Sequence, residues 1–141
     1  MAALDRYHNA VVHALEADGW TITNNPLTLS VGERTLYVDV AAERLLAAEK
    51  GVQKIAIEIK TFGSPSPVTD LQEAIGKFGM YEDALQELEP ERLLYLAVPE
   101  QAYATIFQEK LGQMALKNQR IRRLLVYAID VEEIRQWIPK L

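Results

Sequence analysis

The chain has 141 residues, of which 49% are hydrophobic and 25% charged, a balance typical of one globular domain spanning residues 1–141. It has no cysteine, which excludes a disulfide framework and thiolate ligands, and its net charge of -5 argues against a broadly cationic surface for duplex DNA. Because the N-terminus lacks a signal-peptide core and no apolar run approaches ~18 residues, we expect a cytoplasmic protein with no membrane partner.

The first elements follow from hydrophobic spacing. An amphipathic helix is predicted from about residue 4 to residue 18, and Gly19 supplies its stop. An extended segment then runs from Trp20 to Val31, and a turn at Gly32-Glu33 leads into a strand at residues 35–41 that hairpins back. A second strand is predicted at residues 54–62. We expect the residues between the two strands, 43–53, to form a short helical or irregular connection that ends at Gly51.

Both of these strands alternate with a period of two, so each should bury one face. Three apolar residues share a face on each strand: Leu36, Val38 and Val40 on the first, and Ile55, Ile57 and Ile59 on the second. The opposite faces carry Asp39 on the first strand and Glu58 and Lys60 on the second.

The second half of the chain predicts three helices and two strands. The G-S-P-S-P turn, with Ser66 or Thr69 as a cap, opens a long helix at about 68–88. A buried strand at 93–98, a helix at 100–116 and a strand at 123–129 follow, and residues 131–139 predict a short terminal helix. The order is αβββαβαβ plus that helix, which indicates an α/β (α+β) fold with a mixed central sheet flanked by helices.

The acidic strand faces suggest a metal and water site. Directly opposed strand residues lie about 5 Å apart at Cβ, and Mg²⁺ binds carboxylate oxygens at roughly 2 Å, so one ion could bridge Asp39 and Glu58. Lys60 lies two positions from Glu58 on the same strand. The alternative interpretation is an ordinary charged face of a one-sided sheet, because Glu-Ile-Lys is a common tripeptide.

The element order, with Asp39 on the second strand and Glu58-Ile59-Lys60 on the third, resembles the restriction-endonuclease-like superfamily and its PD-(D/E)xK signature. The whole chain also resembles the XisH family of fdxN-element excision controlling factors. The stretches that carry the second resemblance are D-R-Y-H (5–8), A-L-E-A-D-G-W-T-I-T (14–23), L-Y-V-D-V (36–40), A-I-E-I-K-T-F (56–62) and E-P-E-R-L-L-Y-L-A-V-P (89–99).

These resemblances imply an accessory role, with partner proteins, in the programmed excision of a DNA element. If the site is active, Asp39 and Glu58 would hold one or two divalent ions, Mg²⁺ or Mn²⁺, and Lys60 would orient the water that hydrolyses a phosphodiester in DNA. The alternative is a non-catalytic regulatory module of nuclease fold that binds a XisI-type partner protein. A homo-oligomer would let two copies address two DNA strands, although no sequence pattern specifies one.

Accessory residues are less clearly indicated. Resolvase-like enzymes often add an acidic group from the first helix, so Asp5 or Glu16 could serve, and His8 could contact phosphate; a solvated helix edge is the competing interpretation. Some branches of the superfamily carry Gln-x-x-x-Tyr on the next helix, where this chain has Lys77 and Tyr81, with Gln72 one turn earlier. A cationic cluster could track a DNA backbone or could simply balance the glutamates; it comprises Lys117, Arg120, Arg122 and Arg123.

Overall fold

A six-stranded sheet organises the chain, as seen in a computed structural model that describes residues 2–47 and 50–141, with side chains from residue 5 onward. The elements in chain order are α1 (Ala2–Ala17), β1 (Thr21–Asn24), β2 (Leu27–Val31), β3 (Arg34–Val38), β4 (Val40–Ala47), β5 (Gly51–Ile59), α2 (Pro67–Leu88), β6 (Arg92–Pro99), α3 (Glu100–Ala104), a 3₁₀ turn (Ile106–Gln108), α4 (Lys110–Lys117), β7 (Leu124–Ala128) and β8 (Glu133–Ile138).

The main sheet is mixed, as predicted. Its strand order is β1-β4-β5-β6-β7-β8, in which β5, β6 and β7 run parallel and the other neighbours pair antiparallel. The parallel pairs arise because α2 and the α3–α4 region each carry the chain back across the sheet. Strands β2 and β3 form a separate hairpin.

Helices cover both faces of the main sheet and create two hydrophobic cores. On one face, α1 packs over β5, β7 and β8, in a core that includes Trp20, Ile57 and Tyr127. On the other face, α2, α4 and the β2–β3 hairpin enclose Phe78 and Phe107. The central strand β6 is therefore buried on both sides, as its apolar run predicts. No helix in the described part of the chain is both long and apolar enough to cross a membrane.

Several local predictions are confirmed. Gly19, at φ 93°, ends α1, and Gly32, at φ 59°, forms the turn of the β2–β3 hairpin, both in the left-handed region that glycine tolerates. Ser66 rather than Thr69 is the N-cap of α2, and its side chain accepts a hydrogen bond from the Thr69 N–H at 3.2 Å.

The predicted connection at 43–53 is wrong, because most of it is strand. Residues 40–47 form β4, which pairs antiparallel with β5 from Val40 opposite Ile57 to Ala47 opposite Gly51. The Leu45-Leu46 and alanine run favours a helix locally, but sheet pairing and the burial of Ala41 and Ala42 override that preference. Residues 48 and 49 of this segment lie outside the described residues.

The end of the chain also differs from the prediction. The predicted terminal helix is instead β8, which extends the sheet beside β7, because Trp137 packs on Trp20 and Tyr95 with ring centroids 5.7 and 4.9 Å apart. The predicted helix at 100–116 is broken into α3, a 3₁₀ turn and α4. The order αβββαβαβ plus a short helix is therefore replaced by five strands before α2 and two strands at the end.

One buried glycine gives a test of the packing around α4. A Cβ on Gly112 would lie 2.6 Å from Phe107 Cα and still closer to the Ile106 carbonyl oxygen, so backbone would have to move. We expect Gly112→Ala to lower the free energy of unfolding by about 2 kcal/mol or more, measured by denaturant titration. Gly76→Ala is the matched control, since its Cβ meets nothing within 4 Å; it should raise stability by about 0.5–1 kcal/mol. Equal effects from the two substitutions would contradict this account.

Candidate functional site

Asp39 lies at a bend between two strands that belong to different sheets. Val38 ends β3 and packs in the core under α2, whereas Val40 begins β4 and packs in the core under α1. The expected shared face of Leu36, Val38 and Val40 is therefore wrong, because the chain changes direction at Asp39. The Asp39 carboxylate is anchored there, since the Ile59 N–H donates to its Oδ2 at 2.8 Å.

Strand register brings Glu58 opposite Asp39. Val40 pairs with Ile57, so continuing the antiparallel ladder by one residue sets Asp39 against Glu58. The alternative of a solvated charged face fails for Glu58, which is only 5% exposed. Its Oε1 is buried without a hydrogen-bond partner among the described residues. A buried, unpartnered carboxylate oxygen beside a second carboxyl is costly unless something compensates it.

The electrostatics of Glu58 reflect this environment. Burial, followed by the negative charge of Asp39, raises the pKa of Glu58 from 4.5 to about 8, and the nearby Lys77 ammonium opposes the shift. The Glu58 side chain is therefore mostly protonated at neutral pH when no further cation is present. A second positive charge between the two carboxyl groups would favour the ionised form of Glu58 instead.

Helix α2 covers this pair with two of the predicted accessory residues. Lys77 Nζ lies 3.5 Å from Glu58 Oε2, and its side chain is half exposed. Tyr81 is buried one turn later, and its pKa is raised by burial and then by the charges of Glu58 and Asp39. The Lys77 and Tyr81 positions therefore both face the carboxyl pair.

Lys60 makes its ion pairs with α2. Its Nζ lies 2.8 Å from Glu73 Oε1 and 3.5 Å from Asp70 Oδ1. Asp70 is itself 3% exposed and accepts a hydrogen bond from the Ser64 hydroxyl at 2.9 Å. The contacts of Lys60 thus lie beside the Asp39 and Glu58 pair rather than within it.

The first helix contributes two predicted residues to an adjoining cleft. Asp5 and His8 line a cavity of about 230 Å³ together with Asp39. His8 is held by Asn25, whose Oδ1 lies 2.7 Å from His8 Nε2. Glu16 is exposed eight residues further along α1, a rise of ~12 Å, and is not part of this cleft.

The remaining predicted residues lie elsewhere. Gln72 and Arg120 line an apolar groove between α2 and α4. The cationic cluster is divided by Glu82, which pairs with Arg122 at 2.7 Å and with Arg123 at 3.3 Å, while Lys117 and Arg120 are exposed. Only half of the cluster is therefore engaged in ion pairs with this acid.

Sequence reasoning missed Asp70 and Glu73. Both lie on the same stripe of α2 as Lys77 and Tyr81, at helical intervals of three and four residues. Counting back from Lys77 by one helical turn reaches Glu73, and a second turn reaches Asp70. The signal was present in the sequence, but the site was sought only on the strands and at the Gln-x-x-x-Tyr spacing.

The side chains that could act as metal ligands limit which ions this site could bind. In the described part of the chain, no three His, Asp or Glu side chains are grouped to hold a metal ion. A divalent cation at this site would therefore depend on two carboxyl groups, Asp39 and Glu58, plus water or main-chain oxygens. The unpartnered Oε1 of Glu58 fits such a cation, because hard divalent ions take carboxylate oxygens and keep several waters.

Fold and site together define an α/β protein with a mixed six-stranded sheet and a pair of carboxyl groups, the buried Glu58 and the partly exposed Asp39, beside its longest helix. The model of the XisH protein family matches residues 1–135, and the chain belongs to this family. None of the curated proteins compared with the chain matches it.

Two solved structures are similar over nearly the whole chain. An XisH family protein from Nostoc punctiforme PCC 73102 is 42% identical, with a TM-score of 0.84, over 94% of this chain and 98% of that one. A fdxN element excision controlling factor protein from Anabaena variabilis is also 42% identical, with a TM-score of 0.85, over 95% and 98% of the two chains.

The shifted pKa of Glu58 predicts how stability depends on pH. Between pH 4.5 and about 8 the folded chain holds a proton on Glu58 that the unfolded chain has lost, so the free energy of unfolding should fall as pH rises through this window. Glu58→Gln should remove this fall and stabilise the protein at pH 8, by on the order of a few kcal/mol. Urea unfolding at several pH values measures it, with the exposed Glu87→Gln as control. A pH slope identical in wild type and Glu58→Gln would refute the assignment.

Proposed function

We propose that this protein acts in the excision of a DNA element and that Asp39 and Glu58 form the metal-binding pair of a restriction-endonuclease-like site. The observation that carries the proposal is the buried Glu58, whose Oε1 has no hydrogen-bond partner in the described part of the chain and whose carboxyl lies beside that of Asp39. The role in excision is supported by the 42% identical Anabaena variabilis relative, which is named as an excision controlling factor.

The arrangement of elements supports the restriction-endonuclease-like fold. An acidic residue at a strand bend, a Glu-x-Lys segment ending the neighbouring strand and a helix packed over both resemble the PD-(D/E)xK signature. The extra strands β1 and β8 lie at the two edges of the sheet, so they do not separate Asp39 from Glu58, which the pairing of β4 with β5 brings together.

The side chains around the carboxyl pair would have separate roles in the reaction. A divalent cation held by Asp39 and Glu58 would lower the pKa of a bound water. Lys60 would orient that water or offset charge on the phosphate. To do so it must leave Glu73 and Asp70. Losing the partly exposed Glu73 contact costs roughly 0–1 kcal/mol, and losing the contact with the buried Asp70 costs more, because a buried carboxylate is left with one partner fewer. Lys77, already beside Glu58, would contact the phosphate as a second cation.

The second candidate function is a non-catalytic regulatory module that binds a XisI-type partner protein. The ion pairs of Lys60 with Glu73 and Asp70 favour it, because they engage the signature lysine away from the carboxyl pair. The ion pair of Lys77 with Glu58 favours it too, since it gives the pair a cation from within the chain. The two candidates differ in one measurable property, which is whether a divalent ion binds between Asp39 and Glu58.

A combined binding and cleavage experiment tests the proposal. Mn²⁺ at millimolar concentration should raise the Tm of the wild-type protein, because the ion binds the carboxyl pair only when the protein is folded. It should also support cleavage of DNA. Asp39→Asn and Glu58→Gln should lose both effects. Lys60→Ala should keep the Mn²⁺-dependent shift and lose cleavage by at least ~100-fold.

Glu87→Gln, an exposed residue of α2, is the control and should behave as wild type. A wild-type protein whose Tm is unchanged by Mn²⁺ and that cleaves no DNA would refute the nuclease proposal. In that case the regulatory candidate requires that Asp39→Asn still binds the partner protein as wild type does.

The divided cationic cluster gives a test of DNA contact. We expect Lys117→Ala with Arg120→Ala to weaken binding of duplex DNA and to reduce the slope of log K against log salt by about 1 to 2. Arg122→Ala with Arg123→Ala is the matched pair and should have a smaller effect, because Glu82 already neutralises those side chains in part. Fluorescence anisotropy at several salt concentrations measures both. An equal loss of DNA affinity in the two double variants would show that ion pairing with Glu82 does not affect DNA binding.

A further inference from the structure

A second cavity lies at the carboxyl ends of the three parallel strands. Its volume is about 340 Å³, and its lining includes Thr61 and Phe62 after β5, Pro99 at the end of β6, and Ile129 after β7. The crevice beyond the carboxyl ends of parallel strands is where open α/β sheets bind ligands, because the connecting loops diverge there.

This cavity adjoins the cleft that contains Asp39. Tyr7 and Thr61 line both the larger cavity and the one formed by Asp5, His8 and Asp39. A ligand that occupied both would place one group beside Asp39 and another beside α3.

The chemistry of the larger cavity is polar without free cations. On the α3 side, Gln101 offers an amide group, and the Thr105 hydroxyl, which donates to the Gln101 main-chain oxygen at 2.9 Å, can still accept a hydrogen bond. Its two acids already have partners: Glu100 lies 3.2 Å from Arg135, and Asp130 lies 2.9 Å from Arg6. Among the described residues that line it there is no lysine or arginine, so the cavity suits a neutral group with hydrogen-bonding edges and not a phosphate.

Two aromatic side chains, Tyr7 and Phe62, add flat surfaces to the lining. Phe62 has φ 57°, a left-handed conformation that is unfavourable for a residue with a Cβ. Its ring packs edge-on against Phe107, with centroids 5.4 Å apart, which holds it in place. Backbone strain of this kind concentrates where a side chain must be positioned for a ligand.

We propose that the larger cavity binds one unpaired nucleobase of a DNA strand whose neighbouring phosphate lies at Asp39 and Glu58. The inference rests on the proposed function: nucleotides and nucleic acids both join a planar, hydrogen-bonding group to a phosphate, and the proposed role in DNA excision selects a DNA strand among them. It adds a substrate class: DNA with an unpaired or displaced nucleotide beside the phosphate that is engaged. An extruded base would be bound by the aromatic surfaces and by Gln101 and Thr105.

The test uses a single-stranded 12-mer with one 2-aminopurine, titrated with the full-length protein in Ca²⁺ and again in EDTA. The wild-type protein should give a saturable change in 2-aminopurine fluorescence. Gln101→Ala should weaken that transition by about tenfold. Gly63→Leu should abolish it, because Gly63 lines the cavity and a Cβ there meets only Thr61 Oγ1 at 3.5 Å, so the side chain can be added without a backbone clash.

Gln72→Ala is the control, since this exposed glutamine of α2 lines a different groove. The same Mn²⁺ thermal shift is measured for every variant, which also shows that each is folded. DNA binding with no fluorescence change, or the same change in all variants, overturns the base site. A Mn²⁺ shift without a base signal overturns the base site and leaves the metal proposal standing. A base signal without a Mn²⁺ shift overturns the metal proposal and leaves the base site standing. An absence of DNA binding overturns the base site and the proposed action on DNA, and the Mn²⁺ shift alone then decides the metal proposal.

Discussion

Two neighbouring carboxyl groups, Glu58 buried and Asp39 partly exposed, are the constraint on which the candidate site depends. Glu58 is buried in a strand with sheet neighbours on both sides, and Asp39 is fixed opposite it by the register of β4 and β5 and by the Ile59 N–H. The backbone therefore sets the shared position of the two groups. Burial, and then the charge of Asp39, raises the pKa of Glu58 to about 8, and a bound cation would favour its ionised form again.

Helix α2 determines how much of the negative charge of the carboxyl pair is already balanced by lysine side chains. One face of α2 approaches the carboxyl pair and Lys60, and it carries Asp70, Glu73, Lys77 and Tyr81. The two lysines have exchanged the positions that a simple signature would predict: Lys77 lies beside Glu58, while Lys60 pairs with acids of the helix. The site is thus a network of two acids and two lysines around a carboxyl pair, and removing one member changes the charge balance of the others.

The sequence predicts the parts of this fold that local patterns specify. The α2 cap at Ser66, the Gly32 hairpin and the buried run of β6 follow from residue chemistry at short range. The strand β4 could not be predicted, because its alanines and leucines favour a helix and only pairing with β5 makes them extended. Asp39 and Glu58 could be named from alternation, but the bend at Asp39 and the partners of Lys60 depend on tertiary contacts that no short pattern contains.

Charge explains why metal and nucleic acid would bind this cleft together. The protein carries a net charge of -5, and the cleft adds Asp5 and Asp39, so an approaching phosphate meets a negative field. Lys77 offsets part of it, but Lys60 is already balanced by Glu73 and Asp70. A divalent cation between Asp39 and Glu58 would reverse the local sign at the one point where a phosphate could then be held. Because each ligand would create the charge that the other requires, their affinities are thermodynamically linked, and neither would be expected to bind tightly alone.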